Sequence, residues 1–309
     1  MTRNDFLRLT MGAAAALAAP PGFARQSSPA GDTKMKMNTR RIPASGEALP
    51  VIGCGTYIGF DVAPGSTEYQ RLPGVLQALF DAGGSVFDSS PMYGRSEEVT
   101  GDLLAAASSR KQAFIATKVW TSGRDAGVQQ MQQSMNLLRV DQLDLMQIHN
   151  LLDWRTHLST LRDWKARGLV RYIGVTHYTS SAYRELEAVM RAEKFDFLQI
   201  NYSLNEREAE QRILPLAAER GMAVLINRPF GGGGLLRRLG SKPLPPWAAE
   251  IGATSWAQLL LKFVLSHPAV TCAIPGSGRP EHMADNAAAG AGQIAGRDFW
   301  ANHAQLIER

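Results

Sequence analysis

The feature that most narrows the fold is an alternation running along most of the chain. Short apolar runs lie at residues 51–54, 85–87, 113–117, 143–148, 172–175, 197–200, 223–226 and 270–274. Between them, segments 72–82, 97–107, 128–138, 158–167, 182–190, 209–220 and 256–265 carry apolar residues three and four positions apart. The first spacing suits strands buried on both faces, the second amphipathic helices. Gly168 and Gly221 follow basic residues where two helices should stop. Strand–helix alternation implies parallel strands joined by crossover helices. Eight repeats suit a closed α/β barrel, a (β/α)8 or TIM barrel. A doubly wound sheet is the runner-up, and it calls for a glycine fingerprint at the first turn. The run Gly53-Cys54-Gly55-Thr56-Tyr57-Ile58-Gly59 misses that spacing by one position. Ahead of the barrel, residues 40–43 and 49–52 flank Ala44-Ser45-Gly46-Glu47 and read as an N-terminal β-hairpin. The barrel with its hairpin is expected over 37–309.

Residues 1–36 differ in kind and read as a signal-like leader followed by a polar linker. Arg3 and Arg8 precede an apolar stretch, 9–19, that is too short to span a bilayer. Thr2-Arg3-Asn4-Asp5-Phe6-Leu7-Arg8 resembles a twin-arginine export signal with Asn4 in place of the second arginine. The expectation is a periplasmic or exported protein whose leader meets the export machinery, with no membrane span in the mature chain. A cytoplasmic protein is the alternative if the leader is not functional. The formal charge is +5, but the longest basic runs are pairs such as Arg237-Arg238, so nucleic acid is not an expected partner. Two cysteines exclude a disulfide framework and a Cys-rich metal site.

In such a barrel, chemistry sits where strands end at the C-terminal rim. The second strand leads to Asp88 and then Tyr93, the third to Lys118, the fourth to His149. Taken singly, each has an ordinary structural reading. Together they complete one mechanism, proton donation to a carbonyl oxygen. A phenol has a pKa of about 10 and gives up its proton reluctantly at neutral pH. A nearby ammonium is expected to lower it, with Asp88 holding that ammonium in place.

These residues, in order, resemble the aldo-keto reductase superfamily. The resemblance rests on Gly53-Cys54-Gly55-Thr56, on Asp88-Ser89-Ser90-Pro91-Met92-Tyr93-Gly94, on Thr117-Lys118 and on Ile148-His149. It spans roughly residues 38 to 290. It implies a barrel that uses NAD(P)H without a metal, with Asp88, Tyr93, Lys118 and His149 as the catalytic tetrad. The implied reaction reduces an aldehyde or ketone to an alcohol, or runs in reverse, with a small-molecule carbonyl substrate. For the cofactor, the resemblance carries over to Gly55, Thr56 and Tyr57 in the first turn. It also covers Thr176, His177 and Gln199 about the carboxamide, with His177 replacing the usual asparagine. Asn227 and Arg228 stand where the family has a stacking tyrosine and a serine. Arg228 is a candidate for the pyrophosphate. Ser277, Arg279 and Asn286 match the adenosine segment, and Arg279 favours NADP(H) over NAD(H). Two rival readings remain, a cofactor-sensing barrel with little turnover and a Schiff-base lyase using Lys118.

Overall fold

The computed structural model describes residues 36–303, all within the compact unit Lys34–Arg309. The leader and most of the linker lie outside the described residues.

The chain opens with a two-stranded antiparallel hairpin. Strand β1 (Thr39–Arg41) pairs with β2 (Ala48–Pro50), and Thr39 stands opposite Pro50. Gly46, at φ 76°, makes the tight turn. Eight further strands follow: β3 (Cys54–Gly55), β4 (Val86–Asp88), β5 (Phe114–Val119), β6 (Leu143–His149), β7 (Val170–Thr176), β8 (Phe197–Asn201), β9 (Ala223–Asn227) and β10 (Cys272–Ala273). They lie side by side in chain order, every neighbouring pair parallel. Isolated parallel bridges from Ile52 to Ala273 and from Gly55 to Gly276 join the two edges. The Gly53 amide donates to Ala273 O at 2.9 Å and the Gly55 amide to Pro275 O at 3.2 Å. The barrel is therefore closed. A Cβ on Gly55 would fall 2.8 Å from Ile274 O, so this seam needs a glycine.

The helices are α1 (Thr67–Asp81), α2 (Ser96–Ala106), α3 (Arg124–Leu138), α4 (Trp154–Ala166), α5 (Tyr183–Ala192), α6 (Ile213–Glu219), α7 (Gly234–Leu239), α8 (Trp256–Leu265), α9 (Pro280–Ala288) and α10 (Arg297–His303). Several depart from the expected limits, α3 and α4 each starting four residues early. Helix α1 starts five residues before the expected 72, because Ser66 caps it by accepting the Tyr69 amide at 3.1 Å. The expected helix 209–220 splits into a 3-10 turn, Glu208–Glu210, and α6. Arg212, at φ −142°, breaks the run. Pro215 is tolerated in α6 because its missing N–H falls in the first turn.

Strand side chains alternate between two environments. Phe87, Ile115, Met146, Leu198 and Val224 face the helices. Val86, Phe114, Ala116, Leu145, Phe197, Ala223 and Leu225 face the barrel axis, where Ile42 and Leu49 of the hairpin side join them. The hairpin thus closes the floor. Tyr172 ties it there, donating its hydroxyl to Glu47 Oε2 at 2.6 Å, with Ser45 Oγ 2.7 Å from the same phenol oxygen. Counting by twos up the same inward rows reaches Asp88, Lys118, Gln147, His149, Gln199 and Asn227. The axis is apolar below and polar above, and the polar layer is the candidate site.

Candidate active site

At the centre lies a buried ion pair. Lys118 Nζ donates to Asp88 Oδ2 at 2.6 Å and to Ser89 O at 2.6 Å, with lysine and aspartate 0 and 2 % exposed. Two charges removed from water are stable only if their remaining hydrogen-bonding capacity is satisfied. Asp88 meets this condition: its Oδ1 accepts from Gln147 Nε2 at 3.0 Å and Gln199 Nε2 at 2.7 Å. Burial alone would lower the Lys118 pKa, but the charges and hydrogen bonds of Asp88 and Tyr93 outweigh it and raise the value. Gln147 was not singled out from sequence. Its position two residues before His149, on the same face of β6, was the available signal.

Tyr93 reaches this pair from a sharp turn. Its amide donates to Ser90 O at 3.0 Å, and Gly94 follows at φ 57° with Asp61 packed against it. The Tyr93 ring centroid lies 4.9 Å from Lys118 Nζ and 6.0 Å from the His149 ring centroid. All four tetrad residues therefore converge. The expected lowering of the phenol pKa does not prevail. Burial pushes Tyr93 above the ordinary phenol value, and the Lys118 charge offsets only part of that rise. His149 is driven down to about 3, first by burial and then by the Lys118 charge, so its ring is neutral at ordinary pH. Its Nδ1 lies 3.0 Å from Ser90 Oγ.

Behind the pair stands Glu97 of α2, buried and bonded to Thr117 Oγ1 at 2.5 Å and Ser134 Oγ at 3.1 Å. Burial raises its pKa. This carboxyl faces the helix layer and fastens α2 and α3 to β5.

A cavity of about 1000 Å³ is lined by Tyr93 and Asp88 of the tetrad and runs to α9. Among the expected cofactor residues, Gly55, Tyr57, Gln199, Asn227, Arg228 and Asn286 border it. The others do different work. Thr56 is buried and donates Oγ1 to Ser89 Oγ at 2.9 Å, pinning the turn after β4. Thr176 donates to Gln199 Oε1 at 3.4 Å, and His177 Nδ1 accepts the Tyr178 amide at 3.0 Å. Ser277 Oγ donates to Arg279 O at 3.1 Å, while the Arg279 guanidinium pairs with Glu281 at 2.8 Å. Lys242 and His282 instead border the cavity's α9 end.

Asn227 occupies the place expected of a stacking ring. Its Nδ2 donates to His177 O at 3.2 Å, and its buried Oδ1 has no partner. That oxygen is an acceptor for an amide donor at the cavity wall. Arg228 pairs with Glu206 at 3.2 Å and folds over Gly232. Gly231, Gly232 and Gly233 all have left-handed backbones, at φ 57°, 62° and 85°. No group of three or more His, Cys, Asp or Glu among the described residues is placed to hold a metal ion. Cys54 and Cys272 are free and buried.

Known proteins resemble this chain in sequence and fold. Methylglyoxal reductase YeaE of Escherichia coli is 29% identical over 261 residues, covering 82% of this chain and 89% of that protein. A crystal structure of an aldo-keto reductase from Klebsiella pneumoniae in complex with NADPH superimposes with TM-score 0.72 at 26% identity, covering 88% and 96% of the two chains. A second structure from that organism, in complex with NADP and acetate, gives TM-score 0.73 at 27% identity, covering 88% and 95%. The sequence model of the Aldo/keto reductase family matches residues 51–300, and the chain belongs to that family.

Proposed function

We propose that this oxidoreductase reduces an aldehyde or ketone with Tyr93 as the proton donor, and that it takes NADPH in preference to NADH. The convergence of Tyr93, Lys118, Asp88 and His149, with Tyr93 and Asp88 lining the cavity, carries the reading.

When bound, the reduced nicotinamide supplies the hydride that reduces the carbonyl carbon. The chain's residues manage the oxygen. Tyr93, above the ordinary phenol pKa, keeps its proton until the oxygen gains alkoxide character and becomes the stronger base. Lys118 then stabilises the phenolate, and Asp88 keeps the ammonium aimed. When Ser90 Oγ, which accepts the Met92 amide at 3.4 Å, donates its proton to His149 Nδ1, the ring is the Nε2–H tautomer. This arrangement leaves His149 Nε2–H as a neutral donor to the substrate oxygen. The same geometry disfavours the Schiff-base rival, which needs a neutral amine facing a carbonyl. Lys118 is fully buried, paired and held protonated.

The cavity residues suit a dinucleotide. The unpartnered Asn227 Oδ1 is placed to accept from a carboxamide, and Arg228 and Lys242 border the path toward α9. Two observations support NADPH over NADH, the cofactors named in the Klebsiella structures and these bordering cations. Titration by fluorescence tests the preference. We expect NADPH to bind at least about tenfold more tightly than NADH, and equal affinities would oppose it. The export reading of residues 1–36 rests on Arg3, Arg8 and the apolar stretch that follows. Fractionation of cells making the tagged chain tests it, with mature-size protein in the exported fraction expected.

A further inference from the structure

A neutral imidazole carries one N–H, and which nitrogen holds it decides what the ring can donate to. His149 is 5 % exposed, and burial with the Lys118 charge keeps it neutral. Its Nδ1 lies 3.0 Å from Ser90 Oγ, and Ser90 is 0 % exposed. Bulk water therefore does not reach that hydroxyl.

The hydroxyl's partners can be counted. Among the described residues, Ser90 Oγ has two hydrogen-bond neighbours, the Met92 amide at 3.4 Å and His149 Nδ1. The amide can only donate. One acceptor is left for the serine proton, and it is Nδ1. The reverse arrangement, with Nδ1–H donating to Ser90, would strand a buried hydroxyl proton with no acceptor, which is costly. Only serine as donor satisfies both groups.

Ser90 is also held stiffly. On one side, Ser89 donates its amide to Ala116 O at 2.9 Å, accepts Lys118 Nζ on its carbonyl at 2.6 Å and accepts Thr56 Oγ1 on its hydroxyl at 2.9 Å. On the other, Pro91 restricts the Ser90 backbone to extended conformations. The Ser90 carbonyl accepts the Tyr93 amide at 3.0 Å, closing the turn that presents the phenol.

We infer that Ser90 is a positioning residue for the reduction: its hydroxyl donates to His149 Nδ1 and fixes the ring with its proton on Nε2. One residue thus serves both proton-handling groups, Tyr93 through its carbonyl and His149 through its hydroxyl. This role rests on the reductase reading above.

The test is nuclear magnetic resonance of the chain labelled with 15N-histidine, in which two-bond 1H–15N correlations report the tautomer. His149 is assigned among the six histidines by its loss in His149→Gln. The wild-type ring is expected to carry its proton on Nε2, with Nδ1 at the position of a nitrogen that accepts a hydrogen bond. Ser90→Ala moves the Nδ1 resonance to that of an unbonded nitrogen. It lowers kcat at least about fivefold and changes the NADPH Kd by less than about threefold. Ser90→Thr, which keeps a hydroxyl, returns both the resonance and most of the turnover. A wild-type ring protonated on Nδ1 overturns the inference, and that spectrum decides even where Ser90→Ala fails to fold. An Nδ1 resonance or a kcat unchanged in Ser90→Ala overturns it as well. Each of these leaves the reductase reading standing. No NADPH oxidation by the wild-type chain with any carbonyl overturns both.

Discussion

Gln199 Nε2 donates to Asp88 Oδ1 at 2.7 Å although 111 positions separate them in the chain. With Gln147 and Lys118, this bond makes the Asp88 carboxylate a node joining β4, β5, β6 and β8. Gln199→Leu removes one donor from a buried anion, and we expect a loss of about 1–3 kcal/mol in urea denaturation. The same variant should slow reduction, because Asp88 then fixes Lys118 less firmly.

Lys118→Met keeps the side chain's length but leaves Asp88 buried without its cation. Breaking a pair of this kind costs about 3–5 kcal/mol. It also removes the charge that draws the Tyr93 pKa downward. Turnover should fall at least about 100-fold, as measured by NADPH oxidation in a folded sample.

Acid should weaken the fold through histidine. The folded-state pKa is about 3 for His149 and about 4 for His267, against 6.5 ordinarily, burial being the first cause in each. Below pH 6.5 the unfolded chain takes up protons that the folded chain refuses, so stability falls as pH drops toward 4. Urea midpoints at successive pH values measure the slope. His149→Gln, which does not titrate, should make it shallower.

Gly101 lets α2 approach α3 closely, since a Cβ there would sit 2.1 Å from Leu137 O. Gly101→Ala should destabilise by about 1–3 kcal/mol through overpacking, with turnover per folded molecule retained. Differential scanning calorimetry and active-site titration separate the two effects.

The barrel was legible because strands buried on both faces must be apolar, and crossover helices must be amphipathic. The tetrad was legible because Asp88, Lys118 and His149 each stand at or beside a strand's C-terminal end. Gln147 could have been found by counting back two residues from His149 along β6. The helix limits at Ser66 and Arg212 depend on a cap and a single backbone torsion, which apolar spacing does not report. Cofactor contacts were the least legible. Loop geometry decides whether a side chain meets the cavity or its neighbour, as with Arg279, which pairs with Glu281, and Thr56, which braces Ser89. The direction of the Tyr93 shift was also hidden, because it depends on how far burial outweighs one ammonium.

The central claim is that Tyr93 delivers the proton, and Tyr93→Phe tests it most directly. With NADPH and a reducible aldehyde, kcat should fall by about 100- to 10,000-fold while the NADPH Kd changes by less than about threefold. Wild-type turnover in Tyr93→Phe, with cofactor binding intact, would contradict the account.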